Sequence, residues 1–231
     1  MNLVLLAKLA AWLLIVFVFA FVYGQRRGDA LGRGFLMFAA VSGVWIFLEL
    51  LLYIPALVGA REVIHRIIGL IWVPVGFLFL NFAYPLVDRR PDAPYYLLLV
   101  LSLAGALVTP FTDLVYMGWH ESRFEVIDER DPIWHSLLAL IPTAASLLGL
   151  WLVLLRRLGT TDPRGRGPLT LVLLGGVLTL ASAVVMNVVL PNLLGVPEFP
   201  RLGSAATAVF VFLIYLAVRR YDFLAITVEG T

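Results

Sequence analysis

Seven long apolar segments, joined by short polar connections, account for almost all of this chain of 231 residues. A helix needs about 20 apolar residues to cross a bilayer, so seven such helices leave no room within these residues for a soluble domain. In hydrocarbon these segments must be helical, because only a helix satisfies its own backbone polar groups. We therefore predict an all-α membrane protein, a bundle of seven transmembrane helices over Leu3–Tyr23, Phe35–Ile54, Val63–Val87, Tyr95–Phe111, Ile133–Leu155, Leu169–Leu190 and Leu202–Val218.

The composition supports this class of protein. Hydrophobic residues make up 61% of the chain and charged residues 14%, whereas soluble domains are about half apolar and about a quarter charged. The excess of apolar side chains has to face lipid. Cysteine is absent, which excludes disulfides and thiolate metal sites. No signal-peptide cleavage site follows the first apolar segment, so we expect it to be retained as the first helix.

The arginines predict the orientation of the bundle, because short cytoplasmic loops carry an excess of Lys and Arg. With the N-terminus outside and the C-terminus in the cytoplasm, five arginines lie on the outer side. The opposite orientation would place every loop with several arginines outside. In the predicted orientation, with the N-terminus outside, the inner side holds eleven arginines: Arg26, Arg27, Arg33, Arg89, Arg90, Arg156, Arg157, Arg164, Arg166, Arg219 and Arg220.

The longest outer segment, residues 112–132, is acidic and contains two stretches with strand-like composition. Leu114–Trp119 and Arg123–Ile127 are rich in β-branched and aromatic residues and flank a turn at His120–Ser122. This pattern is compatible with a small β-hairpin that caps the bundle. An irregular, solvated loop is the alternative.

A few ionisable and polar residues lie at membrane depth, where they are costly and therefore mark functional sites by default. In the second helix Trp45, Glu49 and Tyr53 follow one another at one-turn spacing and share a face. These residues and others from the third, fifth and sixth helices fall in the outer half. The predicted ligand-binding residues are Trp45, Glu49, Tyr53, His65, Arg66, Trp72, His135 and Asn187.

Three interpretations of this group stay open at the level of sequence. In a ligand pocket, Arg66 would bind an acidic group, Glu49 and Asn187 would bind polar groups, and the tryptophans would hold an apolar body. Alternatively, Glu49 and Arg66 pair with each other and the histidines sit at the wet interface. The third possibility is a proton or ion pathway that uses Glu49 and His65.

Two further polar residues have simpler expected roles. Asn81 is expected to make a hydrogen bond between helices, and Lys8 is expected to extend toward the membrane interface. Lys8 is the only lysine, which excludes a retinal Schiff base on the seventh helix. The sequence has no spacing typical of a metal site, no phosphate-binding loop and no nucleophile elbow, so we expect no cofactor and no catalytic residue.

Several local patterns resemble one known family. The segments that carry the likeness are Val44–Leu50 with its Trp45 and Glu49, the third-helix residues Gly69, Pro74, Phe82 and Tyr84, the segment Met186–Pro191, and the basic-aromatic segment Arg219–Ile226. Together they are similar to the N-terminal seven-helix sensor region of bacterial histidine kinases, and the likeness extends over nearly the whole chain.

This resemblance implies a sensor in a two-component signal-transduction system of the bacterial inner membrane. Residues 1–220 would form the sensor domain, which binds a small or lipid-like ligand, and residues 221–231 would begin a cytoplasmic linker. Arg219, Arg220 and Tyr221 would pass the signal to an output domain in cis that this chain does not contain, or the chain would be a short stand-alone relative. Membrane lipids and a second copy of the chain are the other expected partners, and no nucleic acid is expected.

A small secondary transporter or channel subunit with a Glu49/His65 proton route is the alternative function. The chain shows no internal repeat and no paired, interrupted helices of the kind that many transporters contain. The inner halves of the seven segments are nearly all apolar. Both observations favour the sensor over the transporter.

Overall fold

A computed structural model describes residues 3–26, 30–112, 116–121, 126–194 and 202–221, and within them the fold is a bundle of seven helices. Six are long and apolar enough to cross a membrane, as a multi-pass membrane protein requires, and the seventh has a shorter apolar stretch, Gly203–Arg219. The helices are α1 Leu3–Arg26, α2 Ala30–Leu51, α3 Arg61–Leu86, α4 Ala93–Phe111, α5 Pro132–Gly159, α6 Pro163–Val184 and α7 Gly203–Tyr221.

The helices form a closed ring with one outlier. Around the ring, α1 packs against α2, α2 against α3, α3 against α5, α5 against α6, α6 against α7, and α7 against α1. Helix α4 lies on the outside of α3 and α5. We call the end at which α1, α3, α5 and α7 begin the N-terminal end of the bundle. Large apolar side chains cover the exposed faces, as a lipid environment demands.

Helix α2 begins earlier than the apolar pattern predicted. It starts at Ala30 and not at Phe35, so that Gly32 and Gly34 lie inside the helix and are buried. A Cβ atom at Gly34 would lie 3.1 Å from the Cα of Phe82. Glycine therefore lets the α2 and α3 backbones approach each other closely, a role that a count of apolar residues does not register.

Helix α4 continues through the Thr109-Pro110 pair that interrupts its apolar segment and ends at Phe111. Proline has no N–H, so the carbonyl of Ala106 loses its helical donor. The hydroxyl of Thr109 donates to that carbonyl over 3.1 Å. The side chain thus compensates for the proline, as polar residues do in helices at membrane depth.

Two short antiparallel strands follow α4: β1 Tyr116–Glu121 and β2 Val126–Arg130. They lie a few residues beyond the two predicted stretches, and residues 122–125 between them are outside the described residues. The guanidinium of the buried Arg61, at the start of α3, lies 4.8 Å from the ring centre of Trp119 in β1. Its Nε also donates to the carbonyl of Leu52 over 3.2 Å. Arg61 therefore joins the start of α3 to β1 and to the residue that follows α2.

Polar contacts hold the helices together at the opposite end of the bundle. The hydroxyl of Tyr95 in α4 donates to Asn81 Oδ1 in α3 over 2.8 Å, which confirms the interhelical hydrogen bond predicted for Asn81. Asp92 caps the N-terminus of α4 by accepting from the backbone N–H of Tyr95, and it also accepts from the hydroxyl of Tyr84. Arg89 lies 2.8 Å from the second carboxylate oxygen of Asp92.

The cap at Asp92 makes the stability of the α3–α4 corner dependent on pH. The hydrogen bond from Tyr84 is the main cause that lowers the pKa of Asp92 below its ordinary value of 3.8. A carboxyl whose pKa is lower in the folded protein stabilises the fold fully above the unfolded pKa, and this contribution is lost as pH falls toward the folded pKa. We expect wild-type thermal stability to fall below about pH 4. In detergent, an Asp92→Asn variant should have a lower melting temperature than the wild type at neutral pH. Its melting temperature should fall less than that of the wild type when the pH is lowered.

Helices α3 and α5 approach each other closely at Gly76, where a Cβ atom would lie 2.1 Å from the carbonyl oxygen of Pro142. Gly76→Ala must therefore push the two backbones apart, and overpacking of this kind costs about 1–3 kcal/mol or more. Gly159→Ala is the matched control, because a Cβ atom there meets nothing within 4 Å. In mild detergent, the melting temperature of Gly76→Ala should be much lower than that of the wild type, whereas that of Gly159→Ala should be unchanged. Equal melting temperatures would contradict the described contact.

Candidate functional site

A cavity of about 130 Å³ lies inside the ring, between α2, α3, α5, α6 and α7. It occupies the half of the bundle nearer the N-terminal end. Small side chains on α5 and α6 leave this space open, among them Ala139, Thr143 and Ala183. A cavity of this size holds several water molecules or a small organic molecule.

Five phenylalanines close the cavity toward the opposite end of the bundle. The ring of Phe210 in α7 makes edge-to-face contacts with Phe38 and Phe79, each at 5.3 Å between ring centres. Phe35 and Phe82 pack beneath them and are fully buried. Phe38, Phe79 and Phe210 line the cavity. The cavity therefore ends on an apolar floor, to which α2, α3 and α7 all contribute.

A buried ion pair lies near the N-terminal end, and its carboxylate, Glu49, is part of the cavity wall. The ammonium of Lys8 in α1 lies 3.1 Å from Glu49 Oε2 in α2, and the two side chains are 4% and 14% exposed. The hydroxyl of Ser204, in the first turn of α7, donates to the same oxygen over 2.6 Å. The expectation that Lys8 extends to the membrane interface is wrong, because a buried carboxylate at the same depth offers it a closer partner. The ion pair joins α1, α2 and α7.

Aromatic groups form the wall above the floor. The ring of Trp72 in α3 lies 5.3 Å from the imidazole of His135 in α5, and His135 is 2% exposed. The indole Nε1 of Trp45 in α2 is buried and has no hydrogen-bond partner within the described ranges. Buried donors without a partner are uncommon in native structures, so this N–H group is a candidate for contact with a ligand.

Helix α6 contributes one face to the cavity, formed by Gly176, Thr179 and Ala183 at about one-turn spacing, and Asn187 continues this face beyond the helix. Beyond Val184 the chain continues as a π-helical segment, Val185–Leu193, which contains Asn187. Such segments are frequent at functional sites. The Asn187 amide packs against Gly203, where a Cβ atom would lie 2.3 Å from Asn187 Nδ2.

The structure brings together five of the eight predicted ligand-binding residues, since Trp45, Glu49, Trp72, His135 and Asn187 all line the cavity. That they bind a ligand stays a prediction.

The other three predicted residues, Tyr53, His65 and Arg66, do not line it. Arg66 contacts Glu62 Oε1 at 3.2 Å and the carbonyl of Pro110 at 3.0 Å. The Glu49–Arg66 pair that the sequence left open is not formed, because Glu49 contacts Lys8 and Ser204. Arg66 was predicted to bind an acidic group of the ligand, but no arginine is among the described residues that line the cavity.

Sequence reasoning missed Lys8, Ser204 and the phenylalanine floor as parts of the site. A signal for the ion pair was present, because Lys8 and Glu49 are the lysine and the carboxylate inside apolar segments and both lie within two turns of the same predicted membrane face. Two opposite charges at one depth in hydrocarbon should have been paired. The floor gave no comparable signal, since phenylalanines also occur throughout the lipid-facing surface.

Comparisons with known proteins do not assign the chain to a family, because no family model and no curated protein sequence matches it. The interpretation of the site therefore depends on its own geometry.

The contribution of the Lys8–Glu49 ion pair to stability can be tested by mutation. Glu49→Gln leaves the Lys8 ammonium buried without its counter-charge, and breaking a buried pair on one side costs about 3–5 kcal/mol. The double variant Lys8→Met/Glu49→Gln removes both charges at similar volume and should recover most of the loss. We expect a strong positive coupling in a double-mutant cycle of detergent unfolding. Additive effects of the two substitutions would contradict the pair.

Proposed function

We propose that this chain is a membrane-embedded sensor module that binds a small amphipathic or lipid-like molecule in the cavity and signals through α7. The observation that carries the proposal is the cavity itself, which has apolar walls, a few polar groups near one end and a closed floor. Ligand sites have this composition. Its walls come from five different helices, so a bound molecule can alter how they pack.

The orientation in this proposal places the N-terminal end of the bundle outside and the C-terminus in the cytoplasm. Its support is the unequal distribution of arginine between the two faces. We also propose that α7 is the seventh span, since 17 residues are about the lower limit for crossing the hydrocarbon core. The cavity then opens toward the outside of the cell and its phenylalanine floor faces the cytoplasm.

Helix α7 is the proposed output element. Its first turn holds Ser204, which bonds to Glu49, and its middle supplies Phe210 to the floor. Its last turn carries Arg219, Arg220 and Tyr221, the predicted output residues, and Arg219 donates to the hydroxyl of Tyr215 over 3.1 Å. One rigid helix thus connects the cavity with the cytoplasmic face. A ligand shifts it only if it binds two packing states with different affinity.

An output domain in cis, of the histidine-kinase type, and a dimer of sensor modules complete the proposal. Their support is the resemblance of Arg219–Ile226 to the exit segment of the sensor family. Residues 222–231, which include most of the predicted linker, lie outside the described residues.

The transporter alternative has less support from the geometry. A proton route through Glu49 and His65 needs both residues on one path, but His65 does not line the cavity. The route also needs a polar continuation, and five phenylalanines lie at that level. Proteoliposome flux that depends on Glu49 would reverse this preference.

Filling the cavity tests the proposed function. Ala183 lines the cavity, whereas Ala181 on the same helix is exposed toward lipid. We expect a screen of small amphipathic molecules to yield compounds that raise the thermal stability of the wild-type protein. Ala183→Phe should abolish that stabilisation and Ala181→Phe should preserve it. Compounds that stabilise all three proteins equally act through the detergent or the lipid-facing surface and would contradict a cavity site.

The same compounds should move α7. The absence of native cysteine makes single introduced cysteines specific spin-label sites. A pair at Arg219 and Leu155, both exposed near the opposite end of the bundle, reports the distance between α7 and α5. We expect a change in the distance distribution on ligand addition that Ala183→Phe prevents. Cavity binding without any change would remove the signalling part of the proposal.

A further inference from the structure

The carboxylate of Glu49 has one oxygen engaged and one available. Both of its contacts, the Lys8 ammonium and the Ser204 hydroxyl, are to Oε2. Among the described residues no hydrogen bond to Oε1 is formed. Glu49 lines the cavity and its side chain retains 14% exposure, although its partners Lys8 and Ser204 are buried. A carboxylate oxygen without a donor in a cavity of low polarity is a strong acceptor for a ligand.

The charge of this acceptor is already balanced. Lys8 lies on the far side of the carboxylate, outside the cavity lining, at 3.1 Å from Oε2. A cationic ligand at Oε1 would put a second positive charge close to Lys8 in a medium of low dielectric, where like charges repel strongly. An anionic ligand would meet the carboxylate itself, and the described lining residues include no Lys or Arg to offset it. The placement of Lys8 and Glu49 therefore favours a neutral hydrogen-bond donor at Oε1 over a charged one.

A second group on the wall narrows the chemistry further. The Nε1–H of Trp45, one helical turn before Glu49 on the same face, is a buried donor that lacks an acceptor within the described part of the chain. A hydroxyl is the one simple group that can both donate to the carboxylate of Glu49 and accept from the N–H of Trp45. The apolar part of the same molecule would extend toward the rings of Phe38, Phe79 and Phe210.

We propose that the cavity binds a neutral alcohol or phenol whose hydroxyl donates to Glu49 Oε1 and whose apolar body lies on the phenylalanine floor. This inference deepens the proposed sensor function and rests on it, because it names the ligand class of the same cavity. The Lys8–Glu49–Ser204 contact then acts as the head-group site. A ligand there touches the carboxylate that also holds the first turn of α7.

Four probes of similar size separate the charge classes: benzyl alcohol, benzyl methyl ether, protonated benzylamine and benzoate. Their dissociation constants can be measured by NMR titration of the wild-type protein in nanodiscs, with Ala183→Phe as the blank for binding to lipid. We expect the alcohol to bind about tenfold more tightly than the ether, which cannot donate, since a hydrogen bond to a charged group is worth about this factor. The amine and benzoate should bind more weakly than the alcohol.

The double variant Lys8→Met/Glu49→Gln replaces the carboxylate with a weaker, neutral acceptor and should reduce the preference for the alcohol over the ether to about twofold or less. Should that variant fail to fold, the order of the four dissociation constants on the wild-type protein is sufficient to test the ligand class. Equal binding of alcohol and ether, or tightest binding of the amine, overturns the ligand class but leaves cavity binding intact. Binding that is identical in wild type and Ala183→Phe overturns the proposed function as well.

Discussion

Two opposite charges inside the hydrocarbon-spanning part of the bundle constrain the rest of this structure. Either Lys8 or Glu49 alone would be costly at that depth, and the cost is reduced only if the two meet. They belong to α1 and α2, and the shared oxygen of Glu49 also accepts from Ser204 in α7. This one contact brings the start of the chain, its second helix and its last helix together and closes the ring of helices near the cavity.

Glycine determines where the remaining helices can approach. Gly34 allows α2 to meet the α3 backbone near Phe82, and Gly76 allows α3 to meet α5 at Pro142. Between these close crossings and the ion pair, the residues that α5 and α6 turn toward the interior are mostly small. Because they do not fill the space between the helices, a cavity remains there. The cavity is thus bounded by two kinds of contact: tight glycine packing and phenylalanine rings at its floor, and a charged, hydrogen-bonded wall near the N-terminal end.

The helices and part of the site could be predicted because the physics of lipid burial appears directly in the sequence. Apolar segments of sufficient length predict the spans, and the one-turn spacing of Trp45 with Glu49 predicts that these two side chains share a face. Helix ends were harder to predict than the spans, as the early start of α2 shows. Glycines and Arg33 interrupt the apolar pattern there without interrupting the helix.

Partners across the bundle could not be derived from one helix at a time. Arg66 was predicted to serve the pocket because it lies at the right depth, but its rotational position on α3 directs it to Glu62 and Pro110. The prediction for Lys8 considers α1 alone, although the partner of Lys8 lies on the next helix. Both errors have the same cause. Depth follows from the sequence, whereas rotation about the helix axis depends on how all the helices pack.

The central claim of the proposed function is that the cavity opens to the outside of the cell and is closed toward the cytoplasm. Cysteines introduced at Thr143 and Ala183, both on the cavity wall, can be tested with a membrane-impermeant thiol reagent, since the chain has no native cysteine to interfere. The lipid-facing Ala181→Cys is the control. The account predicts that the reagent modifies the two cavity positions when added to intact cells and leaves them unmodified when added to inverted vesicles. Modification from the cytoplasmic side, or from neither side, would contradict it.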